Sequence, residues 1–385
     1  MSGSPSGRLE PREDRRLGQY QVFVPDPLPP ALTMDDELVL LVARASDAIA
    51  RLDGVTQVLP NPDLFIAMYM KKEALLSSQI EGTQASLRGV LEFEADLRPS
   101  ENINEVREVI SYLKAMSHGL EAITFRPFSI DLLNQIHRFL IAGTRGASRR
   151  PGEIRAVQNW VGIPGTTIRE ARFVPPPPDL VAPLLEDLIE FIGDGDRLPP
   201  LVKAAVVHAQ IETIHPYLDG NGRMGRLLIT FFLCQHHVLG QPVLYLSHHL
   251  RRHQQEYYRL LNEVRFEGAW EAWVRFFLEG VIAVSGDAIE TAKRIIALRS
   301  TLTDRLVEQR IGGVHAVRLI DYAFAHPILS ASRVAGDLGI SRQTAHTLVQ
   351  RFEAAGILAE ITGQQKHRQY QFTEYLAIIE KGTHL

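Results

Sequence analysis

Apolar positions recur every three to four residues from Asp35 onward. In DDELVLLVARASDAIARL, DLFIAMYMKKEALLSSQIEGTQASLRGVLEFE, NINEVREVISYLKAMSHGLEAI and SIDLLNQIHRFLIAG this is the spacing of helices with one buried face. An Asn and a Ser stand at the cap positions of the last two. The rhythm breaks at RRPGEIRAVQNWVGIPGTTIREARFVPPPPDL, where Gly and Pro punctuate the chain. The β-leaning TTIREARFV lies there between IPG and four prolines, which predicts an exposed hairpin or extended flap. Helical spacing returns over 180–192, 201–214, 223–237, 250–265 and 269–299. LVKAAVVHAQIETI, at 201–214, is apolar nearly all round and so belongs in the interior.

The two ends read differently. Up to about Tyr20 the chain is rich in Gly, Ser, Pro and charge, and PDPLPP follows, so 1–34 is expected to be a flexible lead-in. After about residue 300, VHAVRLIDYAFAHP and SASRVAGDLGISRQTAHTLVQRFEAAGIL give three helices with LGIS as a tight turn, and EITGQQKHRQYQF a short hairpin. That is a winged helix-turn-helix pattern. The expected organisation is therefore mainly α: a lead-in (1–34), a helical region (35–125), a helical core with its flap (126–299) and a winged helix (300–385).

Composition narrows the classes. A formal charge of -4 on 385 residues gives no general case for wrapping nucleic acid or coating an anionic membrane. One cysteine, Cys234, excludes an intramolecular disulfide and points to a reducing compartment. The N-terminal residues lack the apolar core of a secretory leader, and the apolar stretches are too short to span a bilayer. The expectation is cytoplasmic, with no membrane partner. Within the winged region Ser341, Arg342, Gln343, Thr344 and His346 would line a recognition helix, and Lys366, His367 and Arg368 a wing. Seven Lys or Arg stand against six acids over 314–385, so DNA and protein both stay open as partners, as does a homodimer.

The chemistry concentrates in HPYLDGNGRMGR, His215 to Arg226. Its glycines let backbone N–H groups converge at the start of a helix, which is an anion site. Arg223 and Arg226, three apart, share a side and can grip separate phosphate oxygens. Asp219 is placed to hold Mg2+, and His215 is the group suited to take a proton near neutral pH. Taken singly, these are a core histidine, a capping acid and solvated arginines; together they supply base, metal ligand, anion hole and clamps.

This stretch resembles the signature of the Fic family, with Tyr217 in place of the usual phenylalanine. PGEIRAVQNWVGIPGTT, FVPPPP, EYYRLLNEV and WEAWVRFFLEG extend the resemblance to about residues 38–278. It implies a Fic-type helical bundle that transfers AMP from ATP to a hydroxyl of a target protein, still unidentified, or of itself, releasing pyrophosphate. His215 would be the base and Asp219 the Mg2+ ligand; Gly220, Asn221 and Gly222 would cradle phosphate, and Arg223 and Arg226 hold the β and γ phosphates. The related Doc kinases depart from the GNGR core, which this chain keeps. Tyr257 and Tyr258 match a tyrosine pair near the nucleoside pocket, with helix packing as the alternative. The asparagine that bonds adenine in some relatives has no clear counterpart, Arg265 or Phe266 falling near its place.

SSQIEG resembles the family's inhibitory motif. Ser77, Glu81 and Gly82 would carry it, with Glu81 engaging Arg226 bidentately and denying it to the γ phosphate. Two other readings remain: a DNA-binding regulator that senses nucleotide without turnover, and an enzyme that removes AMP from modified targets.

Overall fold

The computed structural model describes residues 6–383, apart from 58, 60, 61, 100, 164, 196, 197 and 312. Two strands come first, β1 (Gly7–Asp14) and β2 (Gly18–Pro25), antiparallel and paired from Gly7↔Pro25 to Asp14↔Gly18. Over 7–25 this corrects the flexible lead-in expected for 1–34, of which 1–5 lie outside the described residues. Composition suggested fraying, but Val22, Phe23 and Val24 are buried, and Gly18 takes the left-handed turn at φ 73°. Arg8 and Arg12 flank Glu10 on the open face of β1, at 2.8 and 2.9 Å. The hairpin anchors inward where the Phe23 N–H donates to Val174 O at 2.9 Å.

The body is helical: α1 (Asp36–Gln57), α2 (Pro62–Ile80), α3 (Leu87–Glu94), α4 (Ile103–Phe125), α5 (Ile130–Ile141), α6 (Pro178–Gly193), α7 (Pro200–Ile214), α8 (Asn221–Gln235), α9 (Ser247–Arg252), α10 (Gln254–Glu267) and α11 (Trp270–Glu308). The periodicity that reads as one helix across α2 and α3 is broken by Gly82, at φ 90°, and by Ser86, whose Oγ accepts from the Gly89 N–H. α7 runs through the middle against α1, α6, α8, α10 and α11, and every residue from Leu201 to Ile214 is buried. Its all-round apolar character is thereby explained.

The flap between α5 and α6 is less regular than a hairpin. One bridge joins Val161 to Phe173, and a 3-10 turn spans Ile168–Glu170. Glu170 accepts from the Thr167 N–H at 3.0 Å and diverts the chain into that turn, so alternation in the sequence does not become a ladder. Beyond α11 follow α12 (Val314–Ala325), β3 (Ile328–Leu329), α13 (Ala331–Leu338), α14 (Arg342–Ala354), β4 (Ala359–Glu360), β5 (Tyr370–Gln371) and α15 (Thr373–Ile379). The strands form an antiparallel sheet in the order β3-β5-β4. The boundary expected near residue 300 falls within α11. Arg342, Gln343 and His346 on α14, and 366–368 beside β5, are exposed. The region docks on the body where Arg333 donates to Glu94 O at 2.7 Å and Lys72 to Lys381 O at 3.1 Å. No helix among the described residues is long and apolar enough to cross a membrane.

Candidate active site

α7 delivers His215. The helix ends there because Pro216 follows, and His215 itself takes a left-handed conformation, φ 50°. That conformation costs a non-glycine residue roughly 1 kcal/mol and must be held from outside. Arg155 does so: its Nε donates to His215 O at 2.8 Å, one Nη to Ile214 O at 3.3 Å, and its backbone N–H to Pro216 O at 2.9 Å. The Nδ1 of His215 lies 3.3 Å from Glu212 O, so Nδ1 carries the hydrogen and Nε2 keeps its lone pair. Burial, with the charges of Arg265 and Arg155, lowers its pKa to about 4, so the ring is neutral at pH 7.

The turn after it is braced from α5. Tyr217 stacks on His137 at 3.7 Å and its hydroxyl donates to Asn134 Oδ1 at 3.0 Å. The Gly152 N–H donates to His137 Nδ1 at 2.9 Å, so Nε2 carries the hydrogen and donates to Asp219 O at 2.9 Å. Gly220 stands at φ 78°, and a Cβ there would lie 2.5 Å from Ile141 Cδ1. Asn221 spends its amide on the loop, accepting from the Tyr217 N–H at 2.8 Å and donating to Tyr217 O at 2.7 Å. Its side chain is therefore a clasp, and only its backbone N–H can join a cradle. The first turn of α8 leaves the N–H groups of Asn221, Gly222 and Arg223 without intrahelical acceptors, which makes an anion site.

Both arginines are buried there. Arg223 has no hydrogen-bond partner for Nε or Nη1 among the described residues, and its Nη2 lies 3.6 Å from Asp219 Oδ1. Arg226 donates through Nε to Ser77 Oγ at 2.8 Å and through Nη2 to Ser77 O at 3.0 Å and Glu81 Oε1 at 2.6 Å. The expected bidentate grip is thus corrected: Glu81 uses one oxygen, because Ser77 already occupies the guanidinium edge. Nη1 of Arg226 has no partner among the described residues. A Cβ on Gly222 would meet Glu81 Oε1 at 2.3 Å, so the carboxylate sits over the start of α8, in the position of an anion. Burial works against the charge of Glu81, yet Arg226 and Arg223 hold its pKa below the usual value.

A cleft of about 840 Å³ opens in front of these groups. His215, Gly222, Arg226, Glu81 and Tyr258 line it; Asp219, Gly220, Asn221 and Arg223 do not. Tyr257 does not reach it, being buried with its hydroxyl 2.9 Å from His208 Nε2. Packing is thus the role of Tyr257, and a cleft wall that of Tyr258. Among the lining residues that the sequence does not single out are Asn262 and Glu212. Helical spacing would have found both, Asn262 four beyond Tyr258 and Glu212 three before His215. Glu212 is buried with Oε1 lacking a partner among the described residues, and burial raises its pKa to about 7.

Residues 39–121 match the Fic/DOC family N-terminal region, and 127–233 the Fic/DOC family itself. The protein adenylyltransferase fic-1 of Caenorhabditis elegans is 28% identical over 236 residues, 59% of this chain and 41% of that protein. Its Caenorhabditis briggsae counterpart is 30% identical over 162 residues, 40% of this chain and 30% of that one. The chain therefore spans less than half the length of either relative. A Fic family protein from Desulfovibrio desulfuricans G20 superposes with a TM-score of 0.58 at 22% identity, covering 90% of this chain and 98% of that one. A Fic domain containing signaling protein from Bacteroides thetaiotaomicron gives 0.54 at 18% identity, covering 66% and 97%. These likenesses establish a shared fold.

Proposed function

This chain belongs to the Fic/DOC family, and from that premise we propose that it transfers AMP from ATP to a hydroxyl side chain of a protein, releasing pyrophosphate. The observation that carries the reading is the pairing of a neutral His215 with two buried, incompletely bonded arginines at the start of α8. A triphosphate supplies the acceptor oxygens that Arg223 and Arg226 lack. His215 Nε2 takes the proton of the incoming hydroxyl; the oxygen bonds to the α phosphorus, and the bond from that phosphorus to the bridging oxygen breaks, with both electrons leaving on pyrophosphate. Catalysis is then mainly positioning and charge stabilisation.

Asp219 fits a Mg2+ ligand: its side chain is 38% exposed, and a hard cation that keeps waters needs one protein carboxylate beside phosphate oxygens. The ion would neutralise charge on the phosphates. Glu81 supplies the brake: its carboxylate lies over the start of α8, where a terminal phosphate would bind, and takes the Arg226 Nη2 that such a phosphate would use. The cost of exchanging such a charged hydrogen bond, ~1.5–3 kcal/mol, corresponds to about 10–100-fold in rate.

Incubation with α-labelled ATP tests this. Glu81→Gly should raise incorporation into protein by about 10–100-fold, and adding His215→Ala should abolish it. Equal label in all three proteins would remove the assignment of both residues.

A further inference from the structure

We propose that Glu108 of α4, with Thr83 and Arg145 bound to it, positions Glu81 on Arg226, so that parting Glu108 from either partner loosens the brake; the proposal rests on the nucleotidyl-transfer reading and on the role of Glu81 given above. Glu81 lies just past the end of α2. That helix closes at Ile80, and Glu81 and Gly82 form the turn after it, Gly82 at φ 90°. A glycine directly after the glutamate leaves the course of the chain open, so the place of Glu81 depends on what holds the residues beyond it. Its own contact is slender, one carboxylate oxygen on Arg226 Nη2 at 2.6 Å.

Three carboxylates hold those residues. Glu105 and Glu108, three apart, share a face of α4, and Glu101 stands just before its start. Glu101 accepts from the Ser86 N–H at 2.9 Å and from the Ser86 hydroxyl, and Glu105 from the Gln84 N–H. Glu108 accepts from Thr83 Oγ1 at 2.8 Å on one oxygen and from Arg145 Nε at 2.9 Å on the other. Arg145 also reaches back to the turn, its Nη2 lying 3.5 Å from Glu81 O. The segment 83–86 therefore runs along α4 in reverse, Thr83 on Glu108, Gln84 on Glu105 and Ser86 on Glu101.

Glu108 is the acid that matters most for Glu81. It holds the residue two beyond Glu81, and through Arg145 it adds a donor to the carbonyl of Glu81 itself. Thr83 and Glu108 are both 2% exposed, so water cannot easily take the place of a lost partner there. Glu101 and Glu105 are less deeply buried and hold residues further along the chain. α4 in turn packs on α2, α5 and α8. The carboxylate of Glu81 is thus indexed to the same helical body that carries Arg226, rather than to the end of α2 alone.

The test uses the full chain with Mg2+ and α-labelled ATP, in the parent and in the Glu81→Gly chain. Thr83→Val keeps the shape of the side chain and removes its bond to Glu108, Thr83→Ser keeps the bond, and Arg145→Met removes the ion pair at a side chain that is 59% exposed. In the parent, Thr83→Val and Arg145→Met should each raise incorporation into protein at least about threefold, and Thr83→Ser should leave it within about twofold. In the Glu81→Gly chain, which has no brake to loosen, all three should change it by less than about twofold. A purely structural role would instead lower incorporation in both chains alike. With Glu81→Gly activated, unchanged or lowered incorporation for either folded variant in the parent overturns the proposal, as does an equal rise in both chains; should Thr83→Val not fold, Arg145→Met decides. A Glu81→Gly chain no more active than the parent removes the brake itself, and absence of label from every protein removes the transferase; this inference falls with either.

Discussion

At His215 the ring is neutral for a structural reason: burial and two guanidinium groups penalise its protonated form. The sign of the pH effect follows. Below its pKa the imidazole already holds a proton and cannot take one from a hydroxyl. In the Glu81→Gly chain kcat/KM for ATP should therefore stay level from about pH 8 to 6 and fall only as pH approaches about 4 to 5. An inflection near 6.5, the ordinary histidine value, would show that burial and the charges of Arg265 and Arg155 do not act on the ring as described. The residues of HPYLDGNGRMGR were legible because their chemistry is concentrated in one short stretch. Ser77, Glu81 and Gly82 were legible only through resemblance, since a glutamate on a helix has no such meaning alone. For Tyr257 and Tyr258 packing and cleft both stayed open, because adjacent residues of a helix point about 100° apart and the sequence could not say which of the pair faced the cleft.

Among the elements, we propose that the flap sets the approach of a target segment. Among the described residues it is reduced to the bridge Val161↔Phe173, with Val174 tied back to β2, and an extended segment would pair along its edge in place of a second strand. Ala171, at φ -62° and ψ 140°, already has a backbone geometry that proline accepts. Its N–H donates to Ile168 O at 3.4 Å, so Ala171→Pro gives up that long turn bond and with it a donor on the flap edge. The expected outcome is at least a roughly tenfold loss of label transferred to protein, with nucleotide affinity within about twofold. Equal loss of both would mean the flap serves the nucleotide instead. The helices themselves were legible from period 3.6. The hairpin over 7–25 was not, because its order comes from packing Val22, Phe23 and Val24 on the body, which the composition of the segment does not report.

For the whole molecule, burial of titratable groups ties the fold to pH. His208 is fully buried and held neutral, its pKa lowered to about 3 by burial. The unfolded chain binds its proton near 6.5, so stability is lost as pH falls from about 6.5 toward the folded value, at about 1.4 kcal/mol per pH unit. Glu212, with its pKa raised to about 7, acts in the opposite sense, so the test is a difference between two proteins. His208→Gln should lose less stability than the parent between about pH 6.5 and 4 in urea unfolding; parallel curves would show that this histidine is not the acid-sensitive group. In the region 314–379 the order of helices and short strands was legible from its turn and caps. Its seating on the body through Arg333 and Lys72 was not, because both bonds go to backbone carbonyls, which no side-chain pattern announces.

The position of the triphosphate is the most direct test of this site. A crystal of the Glu81→Gly chain grown with Mg2+ and a non-hydrolysable ATP analogue should place the phosphates at the N-terminus of α8. The arginine now bonded to Ser77 and Glu81 should then hold a terminal phosphate, with His215 Nε2 facing the α phosphorus. Phosphates bound elsewhere, with Arg226 unmoved and His215 turned away from phosphorus, would contradict it.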